Sequence, residues 1–475
     1  MVPKPVTTWR DPAFWAIVIA AAALRVPGCF SDPWLDEIAT LIMTGQLQSA
    51  MGIVTEMHTD NNHPLNSLIC YLLGSGRPDA LYRLHSLAAG TGAVVLAWFI
   101  GCGAGRLEAR FAALLMAVSY PMIHFSNEAR GYALVIFFAL ATFLAMQRFL
   151  SKPLGAGAAA FWLCTVLGVL SHLMYLSVFI AAHAWFAVDA IGSRRKLLHI
   201  AARYALGFAV PWVILALFYF LLFKHLHVGR GPSYVLGDIL VRAFSFAGGG
   251  PATGFVAISV AISVACLFLA ATLRQRHMGN GAWAFTLTVI FLPPVVATVH
   301  RFDVLPVRYF LFCIAFGLVA AGAVLAAAVR RGGAPRVAVA IVMAGFLIGN
   351  GINVYGLYRY GHGSYREALQ LMAALNEGPR IIVSSDQDFR NRLTLKYYER
   401  DLPADKQLVY VDRHEFPPEG TPWRILHRIG ETGPIDQIVQ DRYRNSYALV
   451  KHFPYSGRLS GWHWFLYHRS TSDGT

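Results

Sequence analysis

Long apolar runs alternate with short polar breaks over most of the chain. Windows able to cross about 30 Å of hydrocarbon fall at residues 13–30, 81–101, 109–126, 131–150, 156–172, 173–191, 204–223, 252–273, 282–299, 308–329 and 336–355. This predicts about 11 transmembrane helices. The apolar run Leu65 to Leu73 is too short to span and is expected to lie as a helix on the membrane surface. The stretch from Lys224 to Gly250 reads as a long loop.

The pattern changes at Gly356. Tyr365 to Leu375 has helical periodicity, Arg380 to Ser384 reads as a buried strand, Leu393 to Glu399 as a helix and Gln407 to Val411 as a strand. Tyr447 to Arg469, rich in aromatic and β-forming residues, is expected to supply closing strands. Such alternation suggests a small α/β domain. The expected fold class is therefore mainly α, a polytopic membrane protein with a small C-terminal α/β domain. Its membrane domain covers 1–355, with a first outer loop at 30–80, and the α/β domain covers 356–475.

Composition agrees. Of 475 residues, 56% are hydrophobic and 14% charged, far more apolar than an ordinary soluble enzyme. A net charge of +14 would suggest nucleic acid in a soluble protein, so its location matters. Up to Tyr355, Lys and Arg number 24 against 12 Asp and Glu; from Gly356 onward the counts are 16 and 14. The excess belongs to the membrane part, where topology explains it. With a cytoplasmic N-terminus, the inside loops collect Arg106, Arg110, Arg148, Lys152, Arg194, Arg195, Lys196, Arg330 and Arg331 among others, against only Asp11, Glu108 and Asp189. The opposite loops are balanced. That orientation puts the loop holding Asp36, Glu128–Arg130, His172, the stretch from His300 to Arg308 and the whole C-terminal domain outside the cytoplasm.

The first apolar segment ends in Arg25-Val-Pro-Gly-Cys-Phe30 without a small-residue cleavage pattern, and is expected to stay as an uncleaved span. The 6 cysteines all lie in or beside apolar runs, which shows neither a disulfide framework nor zinc spacing.

Polar groups at membrane depth are costly, which makes them functional candidates when they face a cavity. Asp36 and Glu37 follow the first span. One is a candidate base and its neighbour a brace for the loop; the plain alternative is a solvated loop in which Asp36 caps a helix starting at Ile38. His63, before Pro64, can orient a substrate or bind a metal with Asp60, or be structural. Glu128, Arg130 and Tyr132 interrupt two apolar runs, where an Arg130–Glu128 pair would equally fix a tight turn. Arg308-Tyr309 offers a planar donor suited to phosphate oxygens, or an arginine reaching to headgroups.

Trp34-Leu-Asp-Glu-Ile38, Asn62-His-Pro-Leu65, Tyr82-Arg-Leu-His-Ser86, Asn127-Glu-Ala-Arg-Gly-Tyr132 and Arg308-Tyr309, in that order, together resemble the bacterial polyprenyl-phosphate-sugar glycosyltransferases. These are relatives of the protein O-mannosyltransferases and of the aminoarabinose and galacturonic acid transferases. The resemblance covers residues 1–355 and implies a C-type glycosyltransferase fold in a bacterial inner (plasma) membrane. It also implies an extracytoplasmic active site fed with a polyprenyl-phosphate-linked sugar from the bilayer. The family's acid in the first loop maps onto Asp36, with Glu37 beside it; the His-Pro-Pro pattern is met by His63-Pro64-Leu65, lacking its second proline. Glu128, Arg130 and Tyr132 match the Glu-Ala-Arg-x-Tyr element.

The reaction so implied needs a carboxylate to take the acceptor's proton and cations to stabilise the departing phosphate. Asp36 is the candidate base, giving single displacement with inversion. Arg130, Arg308, Arg83 and Arg301 are candidates for the phosphate, and His63, Asp60, Glu128, Tyr132, His172 and Tyr309 for the substrate. No cofactor is called for by a motif; a divalent metal stays open through Asp36, Asp60 or His63. The acceptor is a lipid, glycan or protein. A transporter or flippase of lipid-linked sugars fits a polytopic chain too, but transporters place ionisable groups at mid-span and carry inverted repeats, whereas these charges gather at outer ends. A non-catalytic assembly protein leaves Asp36, Glu37 and the arginines unexplained.

Overall fold

The computed structural model describes residues 10–193, 195–227, 235–275, 279–300, 306–430, 433–456 and 459–470. The chain forms two compact units. The first is Met1–Cys29 with Leu47–Val354; the second is Phe30–Gln46 with Tyr355–Thr475. Residues 30–46 thus group with the C-terminal residues.

The first unit is helical. Its elements are α1 (Pro12–Ala23), α3 (Gly52–Thr55), α4 (Pro64–Leu73), α5 (Asp79–Cys102), α6 (Arg106–Val118), α7 (Tyr120–His124), α8 (Tyr132–Ser151), α9 (Ala156–Ser171), α10 (Leu176–Gly192), α11 (Leu197–Leu221), α12 (Leu236–Ala247), α13 (Gly254–Arg274), α14 (Asn280–His300) and α15 (Leu311–Arg331). α16 (Gly333–Tyr360) starts in this unit and runs past its boundary, and α2 (Leu35–Gln46) belongs to the second. Among the described residues 9 helices are long and apolar enough to cross a membrane. The two remaining windows are shorter pieces. α9 has 16 residues, and the 109–126 window breaks at Ser119 into α6 and α7. Pro121 sits in the first turn of α7 and lacks an N–H to continue the ladder.

The expected loop from Lys224 to Gly250 contains the 12-residue α12. Ile239, Ala243, Phe246 and Ala247 fall on one buried face, a helical period in a run too short to register as a span. The expected surface helix at Leu65 to Leu73 is α4, which Pro64 starts at its first turn.

α15 is the buried centre of the unit, with most of its residues enclosed. Small residues let the helices touch. A Cβ on Gly322 would lie 2.8 Å from Ala112 N, and one on Gly101 2.6 Å from Ala109 Cα, so α6 meets α15 and α5 backbone to backbone. Charges pin one end of this packing. Glu108 takes both Arg330 Nη atoms at 2.5 Å, and Asp11 accepts Arg110 at 3.0 and 3.1 Å.

The second unit is a six-stranded mixed sheet covered by α2, α17 (Tyr365–Leu375) and α18 (Asp388–Tyr398). The strands are β1 (Arg380–Ser385), β2 (Gln407–Tyr410), β3 (Trp423–Arg428), β4 (Ile438–Gln440), β5 (Ser446–Phe453) and β6 (His463–Arg469), in the order β2-β1-β3-β6-β5-β4. β1 is parallel to β2 and β3, and the other pairs are antiparallel. β3 and β4 add to the expected strands. One core joins Trp34, Leu35 and Ile38 of α2 to Tyr365, Leu369, Tyr398, Ile381, Val383, Trp423 and Trp464.

Candidate functional site

The polar groups of the first unit gather where α4 and α8 begin and α9 ends. The approach to α4 is fixed first. Asn62 Nδ2 donates to the carbonyls of Ile53 (2.7 Å) and Met57 (2.8 Å), and its Oδ1 accepts Ser67 Oγ at 2.8 Å. That anchoring sets Asn61 on one side and His63 on the other.

Arg130 stands in the break between α7 and α8, 2% exposed. Its Nη1 donates to Asn61 Oδ1, and its Nη2 lies 3.1 Å from His63 Nε2 and 3.2 Å from Tyr132 Oη. The guanidinium also lies 5.4 Å from the centre of the Tyr132 ring, and that of Arg308 is 5.8 Å from the same centre. His172, in the connection between α9 and α10, sets its ring 4.5 Å from His63, 5.2 Å from Tyr132 and 6.1 Å from Tyr309.

The two histidines differ in their partners. A guanidinium and a backbone N–H only donate; Arg130 Nη2 meets His63 at Nε2 and Gly131 N–H points at Nδ1 at 3.1 Å, while the Ser171 carbonyl also acts on the ring. The approach is tight: a Cβ on Gly131 would fall 1.8 Å from Ser171 O and 2.5 Å from His63 Nδ1. His172 is the Nε2–H tautomer, because its Nδ1 accepts Met174 N–H at 3.0 Å and its proton is left on Nε2. Burial holds His63 well below the usual histidine range, helped by Arg130, His172 and Arg308. Burial, then Arg130 and Arg308, press His172 down to about 3. Both rings are therefore neutral at physiological pH.

The other expected site residues lie as follows. Arg83 is fully buried and donates to the carbonyls of Gly28 (3.3 Å) and Cys29 (3.1 Å), bracing the turn after α1. Glu128 is buried against His124, with Oε1 3.2 Å from Nε2. Asp60 is exposed and accepts Thr59 Oγ1 at 3.4 Å. Asp36 is half-buried in the first turn of α2, a helix that starts at Leu35 where Ile38 was the expected start. Glu37 is fully buried, and its Oε2 accepts Trp34 N–H at 3.2 Å, a cap on that helix. Arg301 lies outside the described residues. With both nitrogens of His63 turned to protein groups, that ring is withdrawn from metal binding.

Sequence reasoning missed Asn61, Gly131 and two framing residues. Arg25 is fully buried and donates to the carbonyls of Ala21 (2.9 Å), Ala117 (3.0 Å) and Met116 (3.2 Å), so it takes up carbonyls left over where α6 stops. Asn350 of α16 accepts Tyr120 N–H at 2.6 Å, on the far side of the same break. A lone arginine ending an apolar run and an asparagine inside another were the available signals.

The described helices and the mixed sheet share their fold with solved structures. ArnT from Cupriavidus metallidurans in the apo state superposes with a TM-score of 0.54 at 13% identity, over 87% of this chain and 92% of that one. The same protein bound to undecaprenyl phosphate also gives 0.54 at 13% identity, over 88% and 93%. Archaeal oligosaccharyltransferase AglB from Archaeoglobus fulgidus, in complex with an inhibitory peptide and a dolichol-phosphate, gives 0.52 at 11% identity, over 87% and 69%. The sequence matches no protein-family model and no curated protein.

Proposed function

We propose that the chain is a membrane glycosyltransferase that moves a sugar from a polyprenyl-phosphate donor to an extracytoplasmic lipid, glycan or protein acceptor. The observation that carries this reading is Arg130, buried and aimed by Asn61, His63 and Tyr132, with Arg308 over the same tyrosine ring. Two fixed guanidiniums at one end of a membrane bundle suit the oxygens of a lipid-borne phosphate. The Tyr132 hydroxyl, accepting from Arg130, keeps its own proton to donate. A structural neighbour bound to undecaprenyl phosphate supports the same ligand class.

In the proposed reaction Asp36 takes the proton of the acceptor hydroxyl or amine as that atom bonds the anomeric carbon. The bond from this carbon to the phosphate oxygen breaks, its electron pair leaves on the phosphate, and configuration inverts. Arg130 and Arg308 stabilise the charge that develops there. The assignment of Asp36 rests on the first-loop motif, and Glu37 serves it by capping α2. The membrane is the bacterial inner membrane, with the N-terminus cytoplasmic and residues 356–475 outside.

The test is made in cells lacking the protein. One polyprenyl-phosphate sugar should accumulate and one envelope sugar should disappear, with wild type restoring both and Asp36→Asn restoring neither. Full restoration by Asp36→Asn would overturn the mechanism, and no accumulation would overturn the function.

A further inference from the structure

His172 differs from the other polar groups of the cluster in what it leaves open. Asn61, His63 and Tyr132 all point a polar atom at Arg130. His172 instead spends Nδ1 on the backbone N–H of Met174, where it caps the turn Leu173–Tyr175. The opposite edge of the ring carries Nε2–H, which bonds no protein group among the described residues. The ring lies edge-on to His63, tilted over Tyr132 and near Tyr309, and the guanidiniums of Arg130 and Arg308 both act on it electrostatically. A neutral N–H donor within the field of two cations, with its orientation set by the backbone, suits an anion.

We infer that His172 Nε2–H donates a hydrogen bond to a non-bridging oxygen of the donor phosphate, as a third ligand beside Arg130 and Arg308. This rests on the reading above of a polyprenyl-phosphate site, and assigns within it a group that no charge-based argument selects. An uncharged donor adds directionality without further repulsion among the cations that it joins. It is also insensitive to pH through the neutral range, since the ring does not gain a second proton there. His63 has another duty: both of its ring nitrogens are met by protein N–H donors, those of Arg130 and Gly131, so it offers the ligand no free edge and orients the guanidinium instead.

Two substitutions separate the two edges of the ring. His172→Asn keeps an oxygen near the Nδ1 position to cap Met174 N–H and removes the outer donor. His172→Gln places an amide N–H near Nε2. Binding of a polyprenyl monophosphate to the purified full-length protein in detergent should weaken about tenfold or more in the Asn variant, the loss expected of one hydrogen bond to a charged group. The Gln variant should stay within about threefold of wild type. Selective 15N-histidine labelling gives a readout that a purely structural role would not move. The His172 resonance, assigned by its loss in the Asn variant, should report the Nε2–H tautomer and shift when the lipid is added. A folded Asn variant that binds as well as wild type, or a His172 signal in the Nδ1–H form, would overturn the inference. If wild type binds no polyprenyl phosphate, or binds inorganic phosphate equally well, it is the proposed function that fails.

Discussion

At the scale of single residues, what matters is which donors and acceptors each polar side chain is left with after the fold has taken its share. Arg130 gives its Nη atoms to Asn61, His63 and Tyr132, a fork that a single ammonium does not reproduce. Arg130→Lys should therefore lower kcat/KM for the lipid donor by about 10²–10³, the range seen when one fixed donor is lost from a transition-state site, as measured by transfer in detergent or liposomes. An unchanged kcat/KM would place the phosphate elsewhere. Arg130, His63, Tyr132, His172 and Arg308 were visible in the sequence because ionisable and aromatic polar groups stand out against apolar runs. Asn61 was not, since an amide beside Asp60 and His63 looks like ordinary loop. Arg83 and Arg25 were visible as charges, but their destinations were not. Which carbonyls lack partners depends on where helices end in space.

At the scale of elements, one break decides the site. The apolar window at 109–126 gives two helices because Pro121 cannot continue the ladder, and the chain stops α6 at Val118 and restarts at Tyr120. The loose ends are taken by Arg25 on one side and Asn350 on the other. This break sets the direction from which α7 delivers Ser126–Gly131. Asn350→Leu would leave the Tyr120 N–H buried without its acceptor, at a cost of about 1–3 kcal/mol. A lower melting temperature of the purified protein is the expected result, and a melting curve that superposes on wild type would show that Tyr120 N–H finds another partner. The same scale explains the missed elements. α12 has helical period in 12 residues, below spanning length, so a hydropathy window passes over it. β3 reads Trp423-Arg-Ile-Leu-His-Arg428, and its burial follows from pairing with β1 and β6, strands nearly 40 residues away on either side.

For the molecule as a whole, charge is segregated by helix end. The ion pairs of Asp11 with Arg110 and of Glu108 with Arg330 sit at the starts of α1 and α6 and the end of α15. His63, Arg130, His172 and Arg308 sit at the opposite ends of the helices they flank. On the proposed topology, drawn from the positive-inside rule, the first end faces the cytoplasm, so a reporter fused after Thr475 should be active only outside it. Cytoplasmic activity would mean that one of the eleven windows does not cross, with α9 and the α6–α7 pair the first to re-examine.

The sequence by itself determined the membrane class, the windows, the change of character at Gly356, and most of the residues that carry charge at the site. These are local properties: hydropathy over about 20 residues and the cost of placing a polar group in lipid. Only the tertiary structure decided that residues 61, 63, 130, 132, 172 and 308 share one place and that the proton of His172 sits on Nε2. It also decided that 30–46 belongs with the C-terminal unit. Those outcomes depend on close helix contacts at residues such as Gly101 and Gly322 and on the backbone groups left unpaired at helix ends, which no stretch of sequence carries alone.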